Sequence, residues 1–172
     1  MRPWKAVYGQ IDLKHARIYM LDGGSNEIEI TIGEGNLTWS EKVNREYVLD
    51  RGTLDEVRNG DEVPVDLSMS FKWDYIRSSG ESSAAPPSPV DVLKNQYNAA
   101  TWVSSDADAC RPFAVDLKIE YRPTPTSCGD MELILFADFR YEDLSFDLRA
   151  GTIACSGKCN ATAPTLTRSA QS

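Results

Sequence analysis

The chain has 172 residues, of which 41% are hydrophobic, and its formal net charge at neutral pH is −8. This length fits one domain spanning residues 1–172 and is enough to bury a core without disulfides or a metal ion. The acidic balance disfavours a protein that grips nucleic acid, because neutralising phosphates requires clustered lysine and arginine. The first residues lack the apolar segment of a secretion signal, and no run is apolar enough to cross a bilayer, so we expect synthesis in the cytosol and no membrane insertion.

Alternation of apolar and polar residues runs through most of the chain and predicts a mainly β fold. The clearest example is 62–76, where every odd position from Val63 to Tyr75 is apolar and the even positions from Asp66 to Asp74 are polar. A strand of this kind has one buried and one exposed face. The other predicted strands, in chain order, lie within residues 6–20, 27–32, 36–50, 113–121 and 131–160.

Glycines and changes of pattern predict where these strands turn. Gly33 and Gly35 indicate a hairpin turn. Within the last run the apolar positions change parity near Gly151, which predicts a bulge or bend at that glycine. Residues 131–141 are apolar on both faces, as expected of a central strand covered on both sides or of a strand that meets a neighbouring subunit.

Two short helices are predicted from their caps. Thr53 and Glu56 have the spacing of a capping box, and Asn59 with Gly60 supplies a stop, so a helix of one or two turns is expected there. The second helix covers residues 88–97 and begins with Ser88 as N-cap and Pro89 in the first helical position. Its stripe of Val90, Leu93 and Tyr97 can dock on a sheet.

Two segments lack strand periodicity. Residues 77–112, which include the second helix, form an insertion far longer than the ~2–5 residues of a hairpin loop. Long ordered insertions usually contact another element or another molecule. Residues 161–172 are polar, so we expect either a disordered terminus or an arm that a neighbouring chain orders.

Residues suited to catalysis are scarce. The single histidine, His15, lies between Lys14 and Ala16 in a predicted strand and is interpreted as a strand-face residue. No motif typical of a serine nucleophile, a phosphate-binding loop or a dinucleotide site occurs, and acidic pairs such as Asp61 and Glu62 are expected on a solvated face. The sequence therefore predicts no enzyme activity, no cofactor and no metal site.

Three stretches of sequence resemble the tail tube proteins of tailed bacteriophages. They are residues 33–42 (GEGNLTWSEK), 47–65 (YVLDRGTLDEVRNGDEVPV) and 157–168 (GKCNATAPTLTR), with 79–110 the least similar segment. The resemblance implies a two-sheet β-sandwich or partial barrel with one or two short flanking helices. It implies that subunits form hexameric rings whose sheets join into a closed β-barrel, and that the rings stack into a tube. No catalytic or cofactor residue belongs to this family.

The resemblance also implies partners and a location. The tube would lie in the tail of a virion assembled in the host cytoplasm, and DNA would pass through it transiently during ejection. Its partners would be further copies of the chain and other tail proteins: a sheath if the tail is contractile, a terminator, and a baseplate or tip. An acidic wall would repel phosphates over a Debye length of ~8 Å. The candidate lumen residues are Asp66, Asp74, Asp116 and Glu120, with outward exposure to solvent an equal alternative.

Subunit contacts are predicted at two sets of residues. The helix stripe Val90, Leu93 and Tyr97, together with Trp102, is the candidate interface within or between rings, with packing on its own sandwich as the alternative. The cysteines are expected to be reduced after synthesis, and a released virion could oxidise them to intersubunit disulfides. If 113–121 and 131–141 form a hairpin, Cys110 and Cys128 lie about 25–30 Å apart and cannot bridge within one chain. The candidate disulfide residues are Cys110, Cys128, Cys155 and Cys159.

An alternative from another functional class fits the same composition. A monomeric β-sandwich could bind a carbohydrate or a peptide, with 77–112 as its recognition loop. Exposed aromatic residues on one concave face would support this alternative, yet most aromatic residues here fall on the apolar parity of their strands.

Overall fold

The computed structural model describes residues 11–33, 35–74, 86–125 and 129–171. The regular secondary structure of the described part is antiparallel β, apart from one short α-helix and short 3₁₀ turns at Leu13–His15 and Tyr97–Ala99. The strands are β1 (Ala16–Leu21), β2 (Glu27–Ile30), β3 (Leu37–Ser40), β4 (Arg45–Asp50), β5 (Thr53–Asn59), β6 (Asp66–Lys72), β7 (Val115–Tyr121), β8 (Met131–Asp147), β9 (Thr152–Cys159) and β10 (Thr165–Ser169), and the helix is α1 (Pro89–Lys94).

Eight strands form one sheet in the order β2-β1-β7-β8-β9-β6-β3, with β10 also paired to β8. The two end strands, β2 and β3, are consecutive in the chain, so the link 31–36 brings the two ends of the sheet together. The link is itself tied to β6, because Thr31 and Asn36 accept hydrogen bonds from the Lys72 and Ser70 amides at 2.9 and 2.8 Å. The sheet therefore wraps around as a sandwich or partial barrel, open between β2 and β3.

The long strand β8 belongs to both layers of the sandwich. Its first part pairs with β7 on one side and β10 on the other, and its second part pairs with β9. Two register shifts bend it: Asp138, with a φ of 54°, lies in the first, and Glu142 in the second. Gly157 lies opposite the second shift, where an added Cβ would sit 2.1 Å from the Arg140 carbonyl oxygen, so only glycine fits.

The core fills the space between the two layers. One layer contributes Met20, Leu117 and Phe136, and the other contributes Phe71 and Ile153, all no more than 2% exposed. The Trp39 ring meets the Phe136 ring edge to face with centroids 5.2 Å apart, which joins β3 to β8 across the sandwich. The alternation in 62–76 thus buries the odd positions of β6, as the sequence predicts.

Several predictions of local structure are wrong. Residues 53–59 are strand β5, not a helix. Gly33 does not close a hairpin, because β2 and β3 lie at opposite ends of the sheet. Gly151, with a φ of 63°, lies in the turn between β8 and β9 and not at a bulge. Residues 165–169, within the predicted arm 161–172, form β10 on the β8 strand of their own chain.

Helix α1 begins as predicted. The Ser88 hydroxyl accepts a hydrogen bond from the Asp91 amide at 3.2 Å, and the Asp91 carboxylate accepts one from the Ser88 amide at 3.4 Å, which completes a capping box. The helix ends earlier than predicted, because Asn95 takes the left-handed conformation at its C-terminus. Its inner face is Val92 and Leu93, which are buried against the sandwich.

Two buried aspartates fix the later part of the insertion. Asp22 accepts hydrogen bonds from the Val103 amide at 3.2 Å and from the Asn26 side chain at 2.7 Å. Asp106 accepts one from the Arg140 guanidinium at 2.7 Å. Because both carboxylates are satisfied by partners on other segments, the insertion from residue 86 onward is a defined part of the fold. Residues 77–85 of the predicted insertion lie outside the described residues.

Candidate functional site

Strands β4 and β5 form a two-stranded hairpin that is a separate sheet from the other eight strands. The chain leaves the sandwich after β3, forms the hairpin and returns to the sandwich before β6. At the base of the hairpin, the Gly60 amide donates a hydrogen bond to the Asn44 carbonyl oxygen at 3.0 Å. Arg51 and Gly52 both have positive φ values, 50° and 83°, which give its tip a tight turn suited to the twist of a hairpin. Every residue of both strands is exposed.

The two faces of this hairpin differ in chemistry. Tyr47 pairs with Val57 and Leu49 with Leu54, so these four apolar side chains share one face. Each is more than half exposed, from 56% for Val57 to 67% for Leu54. The other face carries charged pairs such as Glu46 with Arg58. We call the Tyr47, Leu49, Leu54 and Val57 side chains the apolar hairpin face.

The exposed hairpin differs from the ordinary surface of a folded domain in its stability and in its apolar side chains. A two-stranded hairpin is at best marginally stable in water, and an apolar face of this kind gains stability when another surface covers it. Apolar side chains grouped together on a projecting element mark sites of protein association. The hairpin is therefore the best-supported candidate interaction site among the described residues.

The candidate lumen residues do not lie together. Asp66 begins β6, where its carboxylate is 3.3 Å from the Lys42 ammonium and 3.8 Å from that of Lys158. Asp74 follows the other end of β6 and pairs with Lys72 at 3.3 Å. Asp116 and Glu120 lie on β7, a strand of the other layer. Glu120 forms an ion pair with Arg122.

The candidate interface residues separate into buried and exposed ones. Leu93 is 5% exposed and Trp102 is 8% exposed, and both belong to the core of their own chain. Val90 is half-buried against the same core. Tyr97 is 79% exposed and is the member of this set that can reach another molecule.

The cysteines also differ in placement. Cys155 and Cys159 are buried on β9, and burial raises the pKa of each thiol to about 12. A disulfide from either residue to another chain would require the sandwich to open. Cys110 is exposed, and Cys128 lies outside the described residues. The geometry thus leaves Cys110 as the accessible thiol of the described part.

Asp116 sits in a small carboxylate network beside the first register shift of β8. It accepts a hydrogen bond from the Asp138 amide at 3.0 Å, and the Ser105 hydroxyl donates to the Asp138 carboxylate at 2.8 Å. Burial raises the pKa of Asp116, and the negative charge of Asp138 raises it further, although the hydrogen bond from the Asp138 amide acts in the opposite direction. Asp116 is therefore a half-buried, bonded residue rather than an open surface acid.

We expect Asp116→Asn to increase the free energy of unfolding at neutral pH. Asparagine still accepts from the Asp138 amide, and it removes a half-buried charge. The folded-state pKa of Asp116 lies above the unfolded value, so wild type gains stability as pH falls through the folded-state pKa, a gain that the variant lacks. Urea unfolding of both proteins at about pH 7 and about pH 4 measures this: a stability difference that does not shrink at the lower pH contradicts the prediction.

The described residues offer little for a metal site, a membrane span or a catalytic histidine. No group of three or more His, Cys, Asp or Glu residues there is arranged to hold a metal ion. None of the helices in the described ranges is long and apolar enough to cross a membrane. His15 contacts Thr124 through its ring nitrogen at 3.1 Å and meets the Tyr121 ring edge-on, without an acidic partner in these contacts.

The fold is an antiparallel β-sandwich that carries a projecting amphipathic hairpin. The solved structures with a similar overall fold include the following two. One is the sheath/tube terminator, in its extended state, of an extracellular contractile injection system called PVC; the TM-score is 0.52 at 10% identity, over 94% of this chain and 99% of that one. The other is the tube-terminating cap of the anti-feeding prophage, with a TM-score of 0.51 and 11% identity over 97% of each chain. No protein-family model and no curated protein sequence matches the chain.

Proposed function

We propose that this chain is a structural subunit of a phage tail, and that its copies assemble into hexameric rings which stack to form the tail tube. The observation that carries the proposal is the apolar hairpin face, because four exposed apolar side chains on a projecting arm require a partner surface. The likeness in fold to a sheath/tube terminator and a tube-terminating cap supports a place in a tail. The sequence resemblance supports the tube and the hexameric ring.

The opening between β2 and β3 in the eight-stranded sheet offers a way for subunits to close into a ring. Strands β2 and β3 each have a single hydrogen-bonded neighbour in the eight-stranded sheet, so each leaves one edge open. Open edges attract further strands, and a ring of subunits placed edge to edge would pair the open edges of β2 and β3. In this arrangement neighbouring copies complete one another's sheets and the joined sheets surround a channel.

The channel would carry DNA without binding it. Asp66 and Asp74 are the candidate lumen acids that are most open to solvent, and each has a lysine neighbour. Repulsion of phosphate would therefore come from the summed negative charge of the chain more than from either side chain. We expect Asp74→Lys to leave assembly intact and to slow DNA ejection, because two adjacent lysines then face the duplex. Ejection from assembled Asp74→Lys particles at the wild-type rate rejects Asp74 as a lumen residue.

A second candidate function is a ring that ends a tube. Both fold relatives are described as terminating proteins, a sheath/tube terminator and a tube-terminating cap. A terminator needs an assembly surface on one side, whereas a tube subunit needs complementary surfaces on two sides. The two functions therefore predict different products from the purified chain.

Light scattering and negative-stain electron microscopy of the purified full chain test the proposal. Tubes of stacked rings at high protein concentration are the expected result. Single rings that do not grow would favour the terminator instead. A monomer at every concentration, with a measurable affinity for a carbohydrate or peptide, would overturn both and favour the binding module.

A further inference from the structure

The hairpin ends in Asn59 and Gly60, which form the only asparagine–glycine sequence of the chain. Asn59 is the last residue of β5 and is exposed, and Gly60 begins the link that returns to the sandwich. The Arg45 guanidinium donates a hydrogen bond to the Asn59 side-chain oxygen at 2.5 Å. The Gly60 amide donates to the Asn44 carbonyl oxygen, so both residues are tied to the β4 side of the hairpin base.

An asparagine followed by glycine can lose its side-chain amide without a catalyst. The backbone nitrogen of the glycine gives up its proton and bonds to the side-chain carbonyl carbon of the asparagine, and ammonia leaves. The resulting five-membered cyclic imide takes up water and opens at either carbonyl, to aspartate or to isoaspartate. Glycine favours the attack because it has no Cβ to crowd its nitrogen. At Asn59 the Arg45 guanidinium also draws electrons from the carbonyl group that is attacked.

The paired hairpin opposes this reaction, so its opening controls the rate. In the closed form β5 is extended and the Gly60 nitrogen is engaged with the Asn44 carbonyl oxygen at 3.0 Å. The hairpin is a separate sheet with exposed strands, and a two-stranded hairpin is at best marginally stable in water. Elements with few buried contacts open at a low free energy while the rest of the fold stays closed. Asn59 is therefore released without unfolding of the sandwich.

The sandwich contains a second sequence with matching chemistry, and its tertiary contacts hold it in place. Asp22 and Gly23 could form the same kind of imide by losing water. Asp22 is 5% exposed, and its carboxylate accepts hydrogen bonds from the Val103 amide and the Asn26 side chain. The Gly23 amide donates to the Val103 carbonyl oxygen at 2.9 Å. The reaction at Asp22 thus requires the loss of these tertiary contacts, whereas the reaction at Asn59 requires only that the hairpin opens.

We propose that Asn59 is a site of spontaneous deamidation, so that the base of the hairpin acquires an aspartyl or an isoaspartyl residue as the chain ages. The aspartyl product keeps the backbone and replaces the hydrogen bond to Arg45 with an ion pair. The isoaspartyl product adds one methylene to the backbone before Gly60. That addition disrupts the pairing of residue 59 with Arg45 and the hydrogen bond from Gly60 to Asn44. Ageing therefore loosens the hairpin base in one product and not in the other.

Peptide mapping of the full-length chain by mass spectrometry tests this proposal. Dilute protein is kept at mildly alkaline pH and sampled over time. We expect the Asn59 peptide to gain the mass of an amide-to-acid conversion, to split into two chromatographic forms, and to convert at least about tenfold faster than any other asparagine. The rate should fall at mildly acidic pH, because the attacking nitrogen must lose its proton. Asn59→Gln is the control and should stay unchanged, since glutamine would need a less favourable six-membered ring.

A substitution at the hairpin tip tests whether local opening sets the rate. Gly52 has a φ of 83°, and no described atom lies within 4 Å of a Cβ added there, so Gly52→Val strains only the turn. We expect this variant to convert Asn59 about fivefold faster, with Asp22 still intact. An Asn59 that survives while the urea-unfolded chain converts would overturn the proposal. An unchanged rate in Gly52→Val, or conversion of Asp22 alongside Asn59 in the folded chain, would overturn hairpin opening as the controlling step.

Discussion

Replacing Leu54 with aspartate is expected to abolish tube formation while the subunit stays folded. Leu54 is 67% exposed and its hairpin is a separate sheet, so the substitution removes nothing from the core. In an assembled tube the leucine would be covered, and covering it contributes about 1.5–3 kcal/mol. The variant also places a carboxylate in an apolar contact, which adds a desolvation cost. Together these effects raise the concentration needed for assembly by roughly 100-fold or more, since each ~1.4 kcal/mol is tenfold.

Sedimentation of assembled protein over a concentration series measures this effect, and circular dichroism with thermal unfolding checks the fold. The control is Val48→Lys, which introduces a charge into the same hairpin on its charged face, where it lies opposite Glu56 and can pair with it. We expect the control to assemble at close to the wild-type concentration. Equal loss of assembly in both variants would show that the hairpin as a whole matters and that its apolar face has no special part.

The sequence could predict a mainly β fold and the buried faces of its regular strands, because inward positions alternate strictly there, whereas the sandwich was an implication of the resemblance. In β6, Leu67, Met69 and Phe71 are buried and the residues between them are more exposed, as the period of two requires. The same holds for Leu117 and Ile119 in β7. The hairpin of 113–121 with 131–141, which the argument about Cys110 and Cys128 assumes, is present, since β7 pairs with β8 in antiparallel register.

The hairpin could not be predicted from the same rule because a bulge changes its spacing. Asp55 is an extra residue between the pairs Leu49 with Leu54 and Val48 with Glu56. The bulge places Leu54 and Val57 on one face although they are three positions apart, and a separation of three is what a helix would show. The capping-box pattern of Thr53 and Glu56 also favours a helix, so both signals point to the wrong structure. The signal that pointed to a hairpin was Gly52, a turn residue between two runs of strand-forming side chains.

The exposure of Trp73 and Phe146 depends on contacts between segments far apart in the chain. Trp73 and Phe146 carry the apolar parity of their own strands, and that parity alone predicts burial. Phe146 lies near the end of β8 and Trp73 just beyond the end of β6, and the two rings remain 45% and 41% exposed. Parity along one strand shows which face of the sheet a side chain lies on. It does not show whether another element covers that side chain.

The largest expected effect on the fold itself is that of Phe136→Ala. Phe136 is 1% exposed, lies on the part of β8 paired with β7, and meets the Trp39 ring of β3 across the sandwich. Truncating a buried phenylalanine costs about 3–5 kcal/mol through lost apolar burial and the cavity left behind. A domain with a total stability of about 5–15 kcal/mol then loses a large share of it.

Phe146→Ala is the matched control, because this ring lies on the same strand and is 45% exposed. We expect it to cost less than about 1.5 kcal/mol of unfolding free energy. Chemical unfolding of both variants under conditions that keep the protein monomeric measures the difference. Similar losses would contradict the two-layer core, since they would mean that the buried Phe136 side chain is no better packed than the half-exposed Phe146 side chain.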